Sequence, residues 1–260
     1  MLKQQYISFN VICLGIAAFF IITLSCSSVP FLSPTATPTS TSTNTPTITP
    51  SPSPTATNTA TSTLTPTQIF GSWRSIILDP FDSNSNYWQS EPSQGSWGSI
   101  LFSFENGKYR WTVTSLTKDG VFFQILAPTD SLNDCYVSVD VEQTSGEEGK
   151  NFGLAIRASE TEGYFFEINQ YKRTYNLISH LAGEWQFPIY ETESSAILSD
   201  GVNTISVKVE GSSYSLFIND KLVNHYSDAT LLTGFVGVLV SVPGISDAII
   251  EFDNFTVYAP

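Results

Sequence analysis

The stretch that decides the fold reads DGVNTISVKVEGSSYSLFINDKLV at residues 200–223, then GFVGVLV at 234–240 and IIEFDNFTVY at 249–258. Ile205, Val207 and Val209 alternate with polar residues, which predicts a strand with one apolar and one solvated face. The segment 211–213 and the pair 219–220 are rich in turn-forming residues, so we expect the chain to reverse at both. The last two runs are rich in Val, Ile and Phe, as is typical of strands inside a sandwich.

The same texture extends upstream to residue 73. The sequence Glu105-Asn106-Gly107 predicts a hairpin turn, and no segment shows the long 3.6-residue period of a helix. The further strands that we predict cover residues 73–78, 97–104, 108–115, 120–127, 135–143, 152–157, 164–171 and 175–180. Many short strands separated by turns indicate an all-β fold with two antiparallel sheets, preceded by two segments of different character.

The first of these segments, residues 1–26, has the pattern of an export signal. Lys3 is followed by an apolar run and by small residues that end at Cys26. The sequence Thr23-Leu24-Ser25-Cys26 resembles a bacterial lipobox, with Thr23 where Leu is usual, and the resemblance implies lipidation of Cys26. Two alternatives remain: the apolar run is long enough to stay as an uncleaved membrane anchor, or the signal is removed and the product is released.

The second segment, residues 27–68, contains no charged residue and consists mainly of Thr, Pro and Ser. It has too little apolar surface to offset chain entropy, so we predict a disordered linker. Frequent prolines favour an extended chain of about 3.1 Å per residue, which would lift the remaining domain, residues 69–260, away from its anchor.

Charge is concentrated in that domain. All 24 acidic residues and 10 of the 11 basic residues lie beyond position 73, so the domain carries 10 − 24 = −14. A surface this acidic repels phosphate backbones, which excludes nucleic acid as a partner. The domain holds one cysteine, Cys135, on an alternating segment, and we expect a small buried hydrophobe there.

Several short motifs occur in an informative order. They are FGLAIR at 152–157, GYFFEI at 163–168, GEW at 183–185, GVNTISV at 201–207, FINDKLV at 217–223, GFVGV at 234–238 and FDNFTV at 252–257. Together they resemble the concanavalin A-like lectin/glucanase superfamily, in its laminin-G-like and 3-keto-disaccharide hydrolase-like branch, over residues 76–258. The resemblance implies a two-sheet jelly roll with one curved sheet, whose concave face in relatives often meets sugars.

Glycoside hydrolysis requires two carboxylates, and Asp140 and Glu142 lie two residues apart on one predicted strand face. Glucanases of the superfamily carry Glu-x-Asp-x-Glu on such a strand. Here Ser138 occupies the place of the nucleophilic Glu, which argues against hydrolysis by the family mechanism. A solvated strand face is the alternative interpretation of this pair.

Arg157, Glu167, Asn169 and Tyr171 form a polar set on neighbouring predicted strands. With Trp185 as an aromatic plate, they would suit a sugar, because amide, carboxylate and guanidinium groups bind hydroxyls. The alternative is a cross-strand salt bridge between Arg157 and Glu167 beside ordinary surface aromatics.

Asp253 lies between two Phe on the last strand, and with Asp79 or Asp82 it would offer oxygen ligands to a structural Ca²⁺. The alternative is that Asp253 caps backbone amides. No phosphate-binding loop and no Cys/His metal spacing occurs, so we expect neither a nucleotide nor a redox cofactor.

These patterns indicate an exported protein, held at the extracellular face of a membrane by a lipid or a helix unless it is released. We expect its domain to be a non-catalytic carbohydrate-binding or surface-interaction module, with a polysaccharide or other glycan as partner. One alternative is a glycoside or 3-keto-glycoside hydrolase that uses Asp140, Glu142 or Glu167. A structural envelope protein is the other.

Overall fold

The computed structural model describes residues 73–260, and this region consists of strands, turns and loops without a helix. It therefore contains no helix that is long and apolar enough to cross a membrane. The predicted signal segment with Cys26 and the predicted linker of Thr, Pro and Ser lie outside the described residues. The strands are β1 (Arg74–Asp79), β2 (Ser93–Gly95), β3 (Gly98–Glu105), β4 (Lys108–Ser115), β5 (Val121–Leu126), β6 (Cys135–Gly146), β7 (Asn151–Ala158), β8 (Gly163–Asn169), β9 (Thr174–Leu181), β10 (Glu184–Glu193), β11 (Asn203–Glu210), β12 (Ser213–Ile218), β13 (Lys221–Ser227), β14 (Phe235–Val242) and β15 (Ser246–Ala259).

The strands form two antiparallel sheets. The nine-stranded sheet has the order β13-β12-β11-β6-β15-β4-β3-β2, with β1 paired to β15, and the six-stranded sheet has the order β10-β9-β8-β7-β14-β5. Sequential neighbours such as β8 and β9 pair directly, while β14 returns to lie between β5 and β7. This arrangement confirms the all-β fold with two antiparallel sheets that the alternating pattern predicts.

Between the two sheets lies the main core. In β6 the inner-face residues Cys135, Val137, Val139 and Val141 are all buried, and Trp111 is buried on the same sheet. From the six-stranded sheet, the inward-facing side chains of the same core are Phe152, Leu154, Ile156, Phe166, Ile168, Tyr175, Leu177, Val238 and Val240. Because each of these strands alternates with period two, one set of apolar residues defines the sandwich interior.

The predicted turns are formed by residues in the left-handed region of backbone space. Asn106 and Gly107 have φ of 55° and 71°, and Asn219 and Asp220 have φ of 49° and 61°. Asn, Asp and Gly adopt these angles at low cost, so both reversals follow from local sequence.

The six-stranded sheet is also covered on its outer face, the face turned away from the nine-stranded sheet. Strands β8 and β9 are buried along their whole length. Part of the outer face is a small second core of Ala155, Phe165, Ile178 and Leu239, against which Trp185 packs. The rest of the outer face carries polar side chains, and this part forms the site described next.

Candidate functional site

A cleft of about 510 Å³ opens on the polar part of the outer face of the six-stranded sheet. Its floor comes from β7, β8 and β9, and one of its walls comes from β10. The residues that line this cleft are Asp119, Val121, Gly149, Asn151, Glu167, Asn169, Lys172, Thr174, Asn176, Ile178, Phe187, Tyr190, Glu191, Ser241, Val242 and Pro243. A cleft that combines apolar and aromatic side chains with converging polar groups is the usual form of a small-molecule or glycan site.

Glu167 is the polar centre of the floor. Its side chain is 1 % exposed, and its Oε1 accepts hydrogen bonds from the amides of Asn151 and Asn176, each at 2.9 Å. Antiparallel pairing of β8 with β9 sets Glu167 directly opposite Asn176. Oε2 of Glu167 is buried and accepts no hydrogen bond from the residues that the structure describes.

The two amides are themselves held in place. Asn151 Oδ1 accepts a hydrogen bond from Asn169 Nδ2 at 3.2 Å, and Asn176 Oδ1 accepts one from the backbone N–H of Glu191 at 2.6 Å. Asn169 Oδ1 in turn accepts from the backbone N–H of Lys172 at 2.9 Å. The network spans β7, β8, β9 and β10, so the floor of the cleft is fixed before any ligand arrives.

Burial changes the acidity of this carboxyl. Desolvation raises the pKa of Glu167 from its ordinary value of 4.5 to about 7, against the smaller opposing effect of the hydrogen bonds from Asn176 and Asn151. Near neutral pH the group is therefore poised between an acceptor-only carboxylate and a carboxylic acid that donates.

The wall of the cleft is aromatic and its lip is charged. Phe187 and Tyr190 are 42 % and 58 % exposed, and their rings meet edge to face with centroids 5.5 Å apart. Lys172 Nζ forms an ion pair with Glu191 Oε1 at 3.3 Å across the lip. Aromatic rings beside fixed hydrogen-bonding groups are suited to binding a ligand ring that is apolar on one face and polar at its edge.

The structure brings together two of the five predicted binding residues. Glu167 and Asn169 line the cleft, whereas Tyr171, 37 % exposed, lies in the turn between β8 and β9 and is not part of the lining. Trp185 lies at the start of β10, where the centroid of its ring is 5.5 Å from that of Phe122. Trp185 thus covers the small second core outside the cleft.

Arg157 faces the interior, so its expected place beside Glu167 is wrong. The pairing of β14 with β7 shifts register between Phe235 and Gly237, and Arg157 has a φ of 46°. This β-bulge adds a residue to β7 and turns the Arg157 side chain toward the nine-stranded sheet. There it donates to the hydroxyl of Tyr214 at 3.1 Å.

The remaining bonds of Arg157 close one end of the sandwich. Its guanidinium donates to the carbonyls of Leu231 at 2.8 Å, Gly211 at 2.6 Å and Asn133 at 3.0 Å. Its only acidic partner among the described residues is Asp134, at 3.8 Å, so the alternative cross-strand bridge to Glu167 is not formed either.

Asp140 and Glu142 lie on the outer face of the nine-stranded sheet, away from the cleft. Asp140 accepts hydrogen bonds from Thr204 Oγ1 and, at 2.9 Å, from Asn254 Nδ2, and Glu142 is paired in register with Glu251. The full thickness of the sandwich therefore separates this pair from Glu167. The three carboxylates that the sequence offers to a hydrolase do not form one site.

Two of the three carboxylates proposed for Ca²⁺, Asp79 and Asp253, accept hydrogen bonds from the protein. Asp79 is buried and accepts from the backbone N–H of Phe81 at 2.9 Å and from Trp88 Nε1 at 2.7 Å. Asp253 Oδ1 accepts from the backbone N–H of Asn254 at 2.7 Å, and burial, with Asp140 and Asp82 nearby, raises its pKa. Within residues 73–260, no three His, Cys, Asp or Glu side chains are placed to share a metal ion.

Cys135 is the small buried hydrophobe that its position predicts. It is 1 % exposed, and burial raises the pKa of its thiol to about 12, so the reactive thiolate form is suppressed.

The sequence interpretation misses most of the lining, including Asn151, Asn176, Phe187 and Tyr190. Asn176 alternates with Tyr175 and Leu177 in β9, so the period-two pattern puts it on the face opposite to the core. The hydrogen bond between Asn176 and Glu167 depends on the register between β8 and β9, which cannot be predicted from the local sequence. The wall residues belong to β10, a strand that the sequence does not predict.

No family model matches the chain, and no curated protein matches it. Solved structures of similar shape exist. A β-glucanase from Bacillus licheniformis superposes with a TM-score of 0.53 at 12 % identity, covering 72 % of this chain and 98 % of that one. The catalytic domain of an endo-1,3-β-glucanase (laminarinase) from Thermotoga petrophila RKU-1 gives 0.51 at 12 % identity, with 72 % and 98 % covered.

A third structure of this shape is a Bacillus subtilis protein of unknown function with a galectin-like fold. It gives a TM-score of 0.51 at 14 % identity, covering 72 % of this chain and 97 % of that one. Residues 73–260 thus have the concanavalin A-like jelly-roll fold that the ordered motifs predict. At these identities the likeness concerns the fold alone.

Proposed function

We propose that residues 73–260 form a non-catalytic carbohydrate-binding module whose ligand occupies the cleft on the outer face of the six-stranded sheet. The observation that carries the proposal is the fixed network around Glu167, beneath an aromatic wall, in a cleft of about 510 Å³. The fold of the module is shared with glucanases, which supports a ligand of the carbohydrate class.

The chemistry of the cleft suits a sugar ring. Hydroxyl groups both donate and accept, and the floor offers an acceptor at Glu167 Oε2 among oriented amides. The exposed rings of Phe187 and Tyr190 offer large apolar contact at a low cost in conformational entropy. Because the network is already ordered, little of the binding free energy is lost to organising the site.

Display at the cell surface is the second part of the proposal. The signal-like segment ending at Cys26, followed by an uncharged Thr/Pro/Ser linker, supports an exported lipoprotein that holds the module away from its membrane. In such an arrangement a glycan ligand would be met outside the cell.

A hydrolase is the second candidate, and one observation favours it. Glu167 has a pKa near neutrality and lies at the floor of a cleft, as a general acid would. Glycoside hydrolysis by the usual route also requires a second carboxylate within about 10 Å. Two further acidic residues line the cleft: Glu191, which is paired with Lys172, and Asp119, which belongs to the segment before β5 and not to the floor or the aromatic wall. The pairing of Glu191 favours binding over catalysis.

A glycan array with the purified full-length chain tests the proposal, provided that retained glycan and released product are both measured. We expect retention without cleavage, and loss of most binding in Tyr190→Ala. Tyr87→Ala, at an exposed aromatic outside the cleft lining, is the matched control. Cleavage that disappears in Glu167→Gln would establish the hydrolase instead, and silence on every glycan would refute both functions.

A further inference from the structure

The two carboxyl oxygens of Glu167 differ in the hydrogen bonds that they accept. Oε1 accepts two amide hydrogen bonds at 2.9 Å, whereas Oε2, equally buried, accepts none from the described residues. A buried acceptor without a donor is unfavourable, so a ligand that supplies one regains this loss on binding.

Neither neighbouring amide can turn to serve Oε2. Asn151 and Asn176 use their oxygens to accept from Asn169 and from the Glu191 backbone, and a flip of either amide would break both of its bonds. No further donor among residues 73–260 serves Oε2, and Glu167 lines the cleft, so an occupant of the cleft is in a position to supply one.

The electrostatics of the cleft favour a positively charged donor. Lys172, the one basic residue in its lining, is engaged by Glu191 at 3.3 Å. No ion pair among residues 73–260 includes Glu167, and Asp119 adds a further negative charge to the lining. The domain around the cleft carries 10 − 24 = −14 over the residues beyond position 73, which attracts cations and repels anionic glycans.

The aromatic wall fits the same ligand. The faces of aromatic rings attract ammonium groups, and Phe187 and Tyr190 expose theirs beside the floor. A sugar that carries an ammonium group presents a ring for these plates and a charged donor for the carboxylate.

Building on the proposed function, we infer that the ligand is a glycan with unacetylated amino-sugar residues, whose ammonium group donates a hydrogen bond to Glu167 Oε2. A charge-assisted bond of this kind is stronger than one from a hydroxyl. The same charges disfavour glycans of uronic acids or sulfated sugars.

The test uses the full-length chain at pH 7 and glycans in matched triplets. Within each triplet the backbone and linkage are constant, and one position carries an amine, an N-acetyl group or a hydroxyl. Several linkage types are represented, so that the linkage preference of the module does not limit the result. We expect the amine form to bind about tenfold more tightly than its neutral counterparts.

Glu167→Gln should reduce this preference to less than about twofold, because the amide is neutral and presents a donor to the ammonium group. Glu184→Gln, at an exposed carboxylate near the other end of the same sheet, should leave the preference intact. Since N-acetylation alters the ligand alone, the comparison remains decisive even where Glu167→Gln fails to fold.

Equal or tighter binding of the neutral glycans would overturn this inference and leave the proposed function standing. Failure of every member of every triplet to bind would overturn both.

Discussion

Replacement of Glu167 by Gln isolates the effect of a buried ionisable group on stability. Gln has nearly the same shape and keeps an oxygen that accepts hydrogen bonds from the side-chain amides of Asn151 and Asn176. What it removes is the capacity to ionise. The variant should therefore differ from the native chain in the pH dependence of its free energy of unfolding.

The direction of this dependence follows from the raised pKa. Below about pH 4.5 the carboxyl of Glu167 is protonated in the folded and unfolded chains, so it contributes no difference. Between 4.5 and about 7 the unfolded chain loses this proton while the folded chain retains it, and the native state loses stability as pH rises. Above about 7 the loss is complete and amounts to about 3 kcal/mol.

Gln at this position avoids the loss. We expect the two proteins to have similar free energies of unfolding at pH 4, and the variant to be more stable by about 3 kcal/mol at pH 8. Urea denaturation at one-unit intervals of pH measures the difference.

Glu184→Gln removes one exposed negative charge from the same sheet and is the control for the change in net charge. A difference between Glu167→Gln and the native chain that stays constant from pH 4 to pH 8 would refute the reasoning. A native chain that gains relative stability as pH rises would refute it also.

Three further substitutions test the framework that holds the cleft. Arg157→Lys replaces a buried fork of donors with an ammonium group that cannot reach all its acceptors, and should lower the free energy of unfolding by about 3 kcal/mol; an unchanged urea midpoint would contradict this. In Asp79→Asn the new side-chain NH₂ group faces other donors such as the Trp88 indole N–H, so a hydrogen bond is lost. The free energy of unfolding should fall by about 2 kcal/mol, which thermal denaturation would show as a lower Tm. Gly153→Ala places a Cβ 2.0 Å from the carbonyl oxygen of Phe166 and should lower the free energy of unfolding by about 3 kcal/mol or more. An unchanged urea midpoint would contradict this, because it would mean that β7 and β8 move apart at little cost.

The sheets could be predicted from sequence because period-two alternation reports burial directly. The run from Cys135 to Val141 shows this, since every second residue is buried and the intervening Tyr136 and Asp140 are not. The turns at Asn106 and Asn219 could be predicted equally well, because a positive φ favours particular residue types such as Asn and Gly.

Arg157 shows where alternation fails. One extra residue in β7 reverses the direction of every later side chain, and the sequence FGLAIRA carries no mark of the bulge. The polar character of Arg157 then suggests an outward position, although three backbone carbonyls and the Tyr214 hydroxyl around the strand end hold it inside.

The wall of the cleft was missed for a different reason. Strand β10 is exposed on most of its residues, contains Pro188, and pairs with β9 through two register shifts. Its short apolar run, residues 187–190, is interrupted by Pro188 and does not alternate with polar residues, so it does not indicate a strand. Edge strands of this kind are set by their neighbour, and local sequence does not reveal them.

The proposed function depends above all on the binding of a glycan in the outer-face cleft. Titration of the ¹⁵N-labelled protein with a glycan retained on the array, followed by amide NMR, tests this directly. We predict that the signals that shift belong to the cleft, including the side-chain amides of Asn151 and Asn176 and the backbone N–H of Glu191. Shifts confined to the opposite face, around Asp140 and Glu142, would contradict it.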